Sequence, residues 1–298
     1  MIKKLKLNGF KINSFSETSL GNYDKLDSDW NYKDVPHLKH IHKLVDPIHI
    51  NIGKKYSSTI ALQRIFFIQI PLPIFIFEEK PFSLIYYTVF GPYVIFVHTD
   101  IKQEYNVTST VTTYYICSIN FFFSIFSPFI KFLLLRNYKI LMSDDIPMRE
   151  RRGYLRSLGY NFLMNGNTYN FDETSDVSKF NVILNPSSVD SFFYYAENFK
   201  DKICGGHLRT YIGDSDYYGI FFLINNNKIS FYQRICLHEG ACLDFAISNK
   251  ANLTCPWHGK SIKPIFTSTI NDVYVFRRDK MEYEVNVEKK ICKISFFD

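Results

Sequence analysis

Two short cysteine–histidine segments, far apart in the sequence, constrain the fold of this chain more than any other feature. The first segment has the pattern C-x-H at Cys236 and His238, and the second has the pattern C-x-x-H at Cys255 and His258. Thiolates and imidazoles are metal donors, and two of each could hold a tetrahedral zinc ion. The four side chains can bind one centre only if a small domain brings both loops together.

This pattern resembles the Rieske iron–sulfur family in its C-x-H arm, its long insert and the glycine that follows each arm. The resemblance implies a [2Fe–2S] cluster in which Cys236 and Cys255 bind one iron and His238 and His258 bind the second, more exposed one. Neutral imidazoles in place of thiolates raise the reduction potential of such a cluster. A zinc knuckle is the alternative interpretation.

The segments around the two arms predict a small antiparallel β domain. Residues 218–224 are apolar, residues 225–227 form a turn cluster, and residues 228–234 alternate before they lead into the first arm. This order is typical of a hairpin. Further short strands are predicted at 272–276, 282–287 and 291–296.

Trp257 indicates which branch of the Rieske family this sequence resembles. Rieske proteins of respiratory cytochrome complexes carry a disulfide between their two cluster loops, and Trp257 stands where the second loop would carry its cysteine. The sequence is therefore more similar to the ferredoxin and oxygenase branches.

The second candidate site lies near the N-terminus, in the segment D-V-P-H-L-K-H-I-H. Two histidines and one carboxylate on one face can hold non-haem Fe(II) and leave positions open for oxygen and substrate. Asp34, His37 and His42 have the D-x-x-H-x-x-x-x-H spacing of the catalytic domain in Rieske-type ring-hydroxylating oxygenases. The resemblance implies that the two histidines bind iron and that Asp34 couples the iron site to an incoming Rieske cluster.

The same family requires a downstream aspartate. The segment S-D-D-I-P at residues 143–147 resembles the one that supplies it, with Asp145 as our choice and Asp144 as the alternative. Helix capping is a simpler role for these acids. Asp34 could cap a helix with Val35 and Pro36 in its first turn, and residues 143–145 could cap a helix that begins near Pro147.

The histidine spacing leaves alternatives open. His37 and His42 lie about 140° apart on an ideal helix, so both reach one metal only near a helix end or a distortion. His37 and His40 share a helix face more naturally. A histidine-lined binding pocket, or surface histidines without a metal, remains the alternative.

Three apolar stretches between these motifs predict an antiparallel sheet, namely residues 64–77, 84–98 and 107–117, broken by Pro71, Pro73 and the Gly91–Pro92 turn. Residues 14–23 are expected to form a surface loop, and residues 137–156 are expected to be helical. A curved sheet with a long helix resembles the helix-grip fold of START-type lipid binders and of the oxygenase catalytic domain. Such a fold encloses an apolar cavity, which favours a hydrophobic substrate.

One apolar stretch, residues 114–135, is long enough to cross a membrane. Asn120, Ser124, Pro128 and Lys131 divide it, so we expect a buried strand, a loop and a helix instead, with a membrane anchor as the alternative.

Length and charge define the class of protein. A chain of 298 residues with 46% hydrophobic side chains suggests two globular domains. The net charge of +6 is spread along the chain except at residues 149–156, where basic residues cluster. We interpret this cluster as a solvated helix face, with a docking surface for an acidic electron donor as the alternative. Nothing predicts a nucleic-acid partner.

Cysteine usage and the N-terminus predict the compartment. The cysteines outside the motifs have no disulfide-framework spacing, which indicates a reducing environment. The N-terminus has no apolar run of signal-peptide length. We expect a cytoplasmic protein. The cysteines concerned are Cys117, Cys204, Cys242 and Cys292.

The sequence thus predicts an α+β chain with a helix-grip, START-like domain at residues 1–172 and an all-β Rieske domain at residues 173–298. This order is the reverse of the usual one in the resembling oxygenases. The resemblance implies an oxygenase in which an external reductase or ferredoxin reduces the cluster and a mononuclear iron activates O2 to oxidise a hydrophobic small molecule. It also implies a homo-oligomer such as a trimer. The alternative is a Rieske ferredoxin-like electron carrier fused to a non-catalytic lipid- or pigment-binding domain.

Overall fold

The structure is a computed structural model that divides into two compact units. The first unit comprises Met1–Gly153 and Met164–Lys179, and the second comprises Tyr154–Leu163 and Phe180–Asp298. Antiparallel sheet dominates both units, with a few helices. The residues described are 2–158, 160–161, 169–172, 183–184, 193–196, 199–204, 207–213, 219–236, 238–249, 252–278 and 281–296. The predicted boundary near residue 172 adjoins residues 173–182, which lie outside the described residues, as does most of the predicted linker.

The first unit contains seven long strands and most of a 31-residue helix. Its strands are β1 (Lys11–Gly21), β2 (Val45–Gly53), β3 (Tyr56–Ile65), β4 (Ile68–Lys80), β5 (Ser83–Phe90), β6 (Tyr93–Glu104) and β7 (Val107–Ser118). Its helices are α1 (Ile2–Leu7), α2 (Lys25–Lys33), α3 (Leu38–Ile41), α4 (Phe121–Ser124) and α5 (Ser127–Ser157), with a 3-10 turn at Val35–His37.

These strands form one antiparallel sheet in the order β1-β7-β6-β5-β4-β3-β2. The expected surface loop at residues 14–23 is wrong, because β1 pairs with β7 from Lys11↔Ser118 to Gly21↔Thr108. The strand is difficult to predict from the sequence because serine and threonine are frequent in it. Pairing with β7 satisfies its backbone, and the hydroxyl of Ser16 lies 2.9 Å from that of Thr113.

The expected breaks in the apolar stretches have two different outcomes. Gly91, with φ of 55°, turns β5 into β6, as expected. Pro71 and Pro73 do not end a strand, because β4 runs through both and pairs there with β3. Pairing with β5 begins only at Ile74, so the missing N–H groups interrupt no ladder on that side.

Helix α5 packs against the sheet and encloses the core. Ile130 packs in one cluster with Tyr93, Ile95 and Ile116, and about two and three turns later Tyr138 and Met142 pack in a cluster with Tyr114. The stretch 114–135 therefore divides into strand β7, a short connection with α4, and the start of α5, as expected. A sheet with a long helix is consistent with a helix-grip arrangement. No helix in the described part of the chain is long and apolar enough to cross a membrane.

The second unit consists mainly of short antiparallel strands. Residues 220–225 and 228–233 form the predicted hairpin, with Asn226 and Asn227 at positive φ in the turn. The three strands predicted near the C-terminus are also present, at residues 273–278, 281–286 and 291–296. The strands are β8 (Tyr160–Asn161), β9 (Ile183–Leu184), β10 (Phe193–Ala196), β11 (Phe199–Cys204), β12 (His207–Ile212), β13 (Ile220–Asn225), β14 (Lys228–Gln233), β15 (Ile247–Asn249), β16 (Asn252–Thr254), β17 (Ser261–Ile262), β18 (Phe266–Thr269), β19 (Val273–Arg278), β20 (Met281–Asn286) and β21 (Ile291–Phe296).

The strands that precede and follow the two cysteine–histidine arms along the chain form three sheets. Their orders are β11-β12-β13-β14-β18, β10-β21-β20-β19 and β15-β16-β17. The first arm follows β14, and the second arm connects β16 to β17. Both arms are therefore loops at strand ends, as the flanking patterns indicate.

Candidate metal sites

The connection between α2 and β2 brings His37 and His42 together. His37 ends the 3-10 turn, His42 follows α3 in an extended conformation, and α3 is only four residues long. Their Nε2 atoms lie 3.2 Å apart. The two rings thus meet where a 3-10 turn and a short helix interrupt regular helix geometry, which is the setting that the spacing requires for both to reach one metal. His40 is exposed and does not belong to this pair.

Helix α5 supplies the carboxylate. Asp145 Oδ1 lies 3.1 Å from His42 Nε2 and 3.4 Å from His37 Nε2, and all three side chains are buried. Asp145 is not a helix cap, because α5 begins at Ser127 and continues through Pro147. Asp34 does occupy the N-cap position of the 3-10 turn, but its side chain makes no capping hydrogen bond there.

The opposite nitrogen of each ring faces an acceptor. His42 Nδ1 lies 3.2 Å from Asp144 Oδ2, and His37 Nδ1 contacts the main-chain oxygen of Asp34 and lies 3.6 Å from its carboxylate. Such partners favour a proton on Nδ1 and leave Nε2 available as a metal ligand. Asp144 therefore lies behind His42, while Asp145 lies in front of both rings.

Two further buried side chains position Asp145. Asn31 Nδ2 donates to Asp145 Oδ1 at 3.3 Å, and Arg149 Nη2 lies 3.7 Å from Asp145 Oδ2. Arg149 also donates to Asn31 Oδ1 from Nε at 2.8 Å and from Nη2 at 2.6 Å. Burial alone would raise the pKa of Asp145, but hydrogen bonds with His37 and His42 and the charge of Arg149 hold that pKa below its usual range.

The interpretation of residues 149–156 as a solvated face is wrong for two of the arginines. Arg149 and Arg152 are both fully buried. The guanidinium of Arg152 lies 3.9 Å from the centre of the Trp30 ring and 3.3 Å from Asp27 Oδ1. Buried charges of this kind persist when they are paired. These contacts join α5 to α2, the helix that carries Asn31.

An apolar cavity lies beside the histidine pair. It has a volume of about 220 Å³, and none of its lining residues is charged. A second cavity of about 130 Å³ is lined by His37, His42 and Asp145. The two cavities share four lining side chains, which are Tyr32, Tyr86, Leu141 and Met142.

Some polar groups of the larger cavity could orient a bound molecule. The hydroxyl groups of Tyr86 and Thr88 are buried and have no hydrogen-bond partner among the described residues. Burial raises the pKa of Tyr86 well above its ordinary value, so this hydroxyl keeps its proton at neutral pH. It can therefore donate a hydrogen bond to a ligand.

The first cysteine–histidine arm is a tight turn. The N–H of Cys236 donates to the oxygen of Ala241 at 2.8 Å, and the N–H of Gly240 donates to the oxygen of Cys236 at 2.9 Å. Gly240 has φ of 84°, a left-handed conformation that costs glycine little. Arg234 braces the start of the arm through two hydrogen bonds to the Asp244 carboxylate.

The second arm repeats this pattern at the same spacing. The N–H of Cys255 donates to the oxygen of Lys260 at 2.7 Å, and the N–H of Gly259 donates to the oxygen of Cys255 at 2.9 Å. Gly259 also has a positive φ, of 64°. The two arms are therefore equivalent turns, although their histidines follow the cysteines at different spacings.

The four predicted ligands of the second unit lie close together in pairs. A hydrogen bond between the thiols lowers the pKa of Cys236 and raises that of Cys255, so the two sulfurs are neighbours. The ring centres of His238 and His258 lie 4.5 Å apart at an interplanar angle of 78°. All four side chains are buried.

Comparisons with known proteins concern the fold alone. No protein-family model matches the sequence, and no curated protein matches it. The solved structure of the Zhui aromatase/cyclase from a Streptomyces species shares 11% identity with a TM-score of 0.40, covering 48% of this chain and 96% of that chain. Dicamba monooxygenase bound to 3,6-dichlorosalicylic acid shares 12% identity with a TM-score of 0.38, covering 55% of this chain and 57% of that chain.

A third similar structure is the di-domain aromatase/cyclase BexL from the BE-7585A biosynthetic pathway. It shares 10% identity with a TM-score of 0.40, and the match covers 47% of this chain and 50% of that chain. This chain thus spans about half the length of BexL. Structural similarity at this level does not indicate what the chain does.

Sequence reasoning missed Asn31 and Arg149. Asn31 lies three residues before Asp34, and nothing in its surroundings marks it as polar and buried. Arg149 is four residues after Asp145, a spacing at which helical side chains meet, and that spacing is its one signal.

Proposed function

We propose that this chain is a Rieske-type oxygenase that uses O2 to oxidise a hydrophobic small molecule. The observation that carries the proposal is the convergence of two imidazole nitrogens and one carboxylate oxygen, within 3.1 to 3.4 Å of one another, beside an uncharged cavity. The same chain also carries the cysteine–histidine pattern of a Rieske cluster.

The donors of the first unit fit a mononuclear iron. Ligands about 2.1 Å from a metal and at right angles to each other are about 3 Å apart, close to the separations of His37 Nε2, His42 Nε2 and Asp145 Oδ1. Three ligands on one side leave other positions open. The acceptors behind both rings are those that histidine ligands generally require.

The donors of the second unit fit a [2Fe–2S] cluster. Cys236 and Cys255 would hold one iron, and His238 and His258 the other. Neighbouring sulfurs, neighbouring imidazoles and two equivalent turns support this assignment. The cluster would supply single electrons and the mononuclear iron would supply O2 activation.

The protein's own groups have separate tasks in this proposal. The apolar walls of the cavity bind the substrate and exclude water, while the hydroxyls of Tyr86 and Thr88 orient its polar group. Asn31 and Arg149 hold Asp145 in position. Asp34 contacts His37 and would couple the two metal centres. An external reductase or ferredoxin would reduce the protein, and transfer between subunits would require an oligomer such as a trimer.

Iron and acid-labile sulfide per chain test the proposal. Protein purified anaerobically and supplied with Fe(II) should contain about three irons and two sulfides. A His37→Ala/His42→Ala variant should contain about two irons and two sulfides, because it keeps the cluster. His40→Ala is the matched control, since His40 is an exposed histidine of the same segment, and it should match the wild type.

Other results would contradict the proposal. About two irons and two sulfides in all three proteins would exclude the mononuclear site and leave an electron carrier with a binding domain. Zinc without labile sulfide would exclude the cluster. Loss of the third iron in His40→Ala alone would replace one proposed ligand by His40.

A further inference from the structure

The segment that joins β7 to the sheet-covering part of α5 carries apolar side chains both on its buried side and on its exposed side. Ile130 and Leu133 are 5% and 7% exposed, and Ile130 packs on the sheet. A helix that is apolar all round is normally buried on every side. Here the second face is exposed. Its side chains, between 51% and 69% exposed, are Phe121, Phe122, Ile125, Phe126, Phe129 and Phe132, and we call them the aromatic face.

The aromatic face is large for an exposed surface. A fully buried phenylalanine covers 150 Å² or more, so six half-exposed side chains present on the order of 500 Å² of apolar area. This is near the upper end for monomeric proteins, in which patches of this size commonly bind a partner or a membrane. The turn between β3 and β4 adds Phe66 and Phe67, which are 52% and 92% exposed.

The charged residues next to the aromatic face in the sequence have one sign. Residues 105–143 contain no aspartate or glutamate, and their charged residues are Lys131, Arg136 and Lys139. Lys131 Nζ lies 5.0 Å from the centre of the Phe15 ring, and the guanidinium of Arg136 lies 5.5 Å from that of Phe66. Lys131 and Arg136 are therefore held next to aromatic rings.

The sign of these charges distinguishes between occupants. In a symmetric contact between two copies, the same patch meets itself. Lys131, Arg136 and Lys139 would then face their own counterparts, and the segment offers no carboxylate to neutralise them. A surface that is apolar inside and negatively charged outside satisfies both the aromatic rings and the cations.

We propose that the aromatic face binds the surface of a membrane that contains anionic lipids. The phenylalanines enter the boundary between headgroups and acyl chains, and the three cations contact the headgroups. The helix lies on the membrane and does not cross it. This inference is independent of both metal sites.

Vesicle co-sedimentation of the full-length protein tests the inference. One set of vesicles contains phosphatidylcholine alone, and the other contains phosphatidylcholine and phosphatidylserine at about three to one. The wild type should bind the anionic vesicles, and added salt should weaken binding. Phe126→Ser/Phe129→Ser should reduce partitioning at least about tenfold. Lys131→Glu/Lys139→Glu should reduce it similarly on anionic vesicles only.

Tyr105→Ser is the matched control. Tyr105 is aromatic and 98% exposed, and it lies at the far end of β7, roughly 40 Å from the aromatic face. This variant should bind as the wild type does. Unchanged thermal unfolding would exclude misfolding of the other variants.

Two outcomes would overturn the inference. One is no binding of the wild type to either set of vesicles. The other is a wild-type oligomer that Phe126→Ser/Phe129→Ser converts to a monomer while vesicle binding is absent, which would assign the aromatic face to a second copy of the chain.

Discussion

The two neighbouring acids of α5 should have different effects on iron binding. Asp145 faces both Nε2 atoms, whereas Asp144 contacts only Nδ1 of His42, at 3.2 Å. We therefore predict that Asp144→Ala keeps the mononuclear iron but binds it more weakly. Loss of such a supporting acceptor typically weakens metal binding 10- to 100-fold, or about 1.4 to 2.7 kcal/mol. Asp145→Ala removes one of the three proposed ligands and should leave no stoichiometric iron at this site.

The cost in protein stability should also differ between the two variants. The Asp144 side chain is 36% exposed, so its removal should change the free energy of unfolding by less than about 0.5 kcal/mol. Asp145 is buried beside Arg149, and its removal leaves a buried charge with less compensation, which typically costs about 3 kcal/mol or more. Urea unfolding of the metal-free proteins measures both changes.

Anaerobic Fe(II) titration against a chromogenic chelator measures the affinity. Glu150→Ala is the matched control, because it removes an exposed acid from the same helix and should have no effect. If Asp144→Ala abolished the iron while Asp145→Ala retained it, Asp144 would be the ligand. If Asp144→Ala bound iron as the wild type does, the role assigned to its contact with His42 would be refuted.

Three further measurements test other parts of the structure. Cys255→Ser should eliminate acid-labile sulfide and cluster absorption. Cys117→Ser should keep both, because burial raises the pKa of Cys117 to about 11 and keeps it an inert thiol. Loss of sulfide in both variants would contradict the assignment of Cys255 to the cluster. Met142→Ala should lower the free energy of unfolding by about 2 to 5 kcal/mol in urea, because it enlarges a cavity in a packed core; a change below about 1 kcal/mol would argue against this packing. Burial raises the pKa of Asp29 from 3.8 to about 6, so the folded state binds this proton more tightly than the unfolded state does, and the free energy of unfolding should fall by about 2 kcal/mol between pH 4 and 6.5. Asp29→Asn should lack this decrease, and parallel pH curves for both proteins would contradict it.

Local chemistry explains the parts of the fold that were predictable. Asn226 and Asn227 adopt positive φ in the hairpin turn before the first arm, and residues of this type tolerate that conformation. The apolar stretch 114–135 divides where polar residues and Pro128 interrupt it. Such signals depend on neighbours in the sequence, so they can be interpreted without the fold.

The sequence-based predictions that proved wrong mainly concern polar residues inside the first unit. β1 looks like a loop because Ser and Thr dominate it, yet β7 supplies a partner along its entire length. Arg149 and Arg152 look like surface residues because arginine is rarely buried. Their partners, Asn31 and Asp27, are more than 100 residues away in sequence. No local pattern predicts a pairing over that distance.

The sequence by itself determined which donors each candidate site could contain. Spacing identified both cysteine–histidine arms, and it identified His37 and His42 as candidate ligands that could reach one metal only near a helix end or a distortion. Only the tertiary structure decided that α5 is continuous and directs Asp145, rather than Asp144, toward both imidazoles. Whether a side chain can bind a metal depends on its residue type. Whether several such side chains meet at one point depends on how a helix is rotated against a sheet. That rotation results from the packing of residues distant in sequence, such as Tyr114 against Tyr138 and Met142.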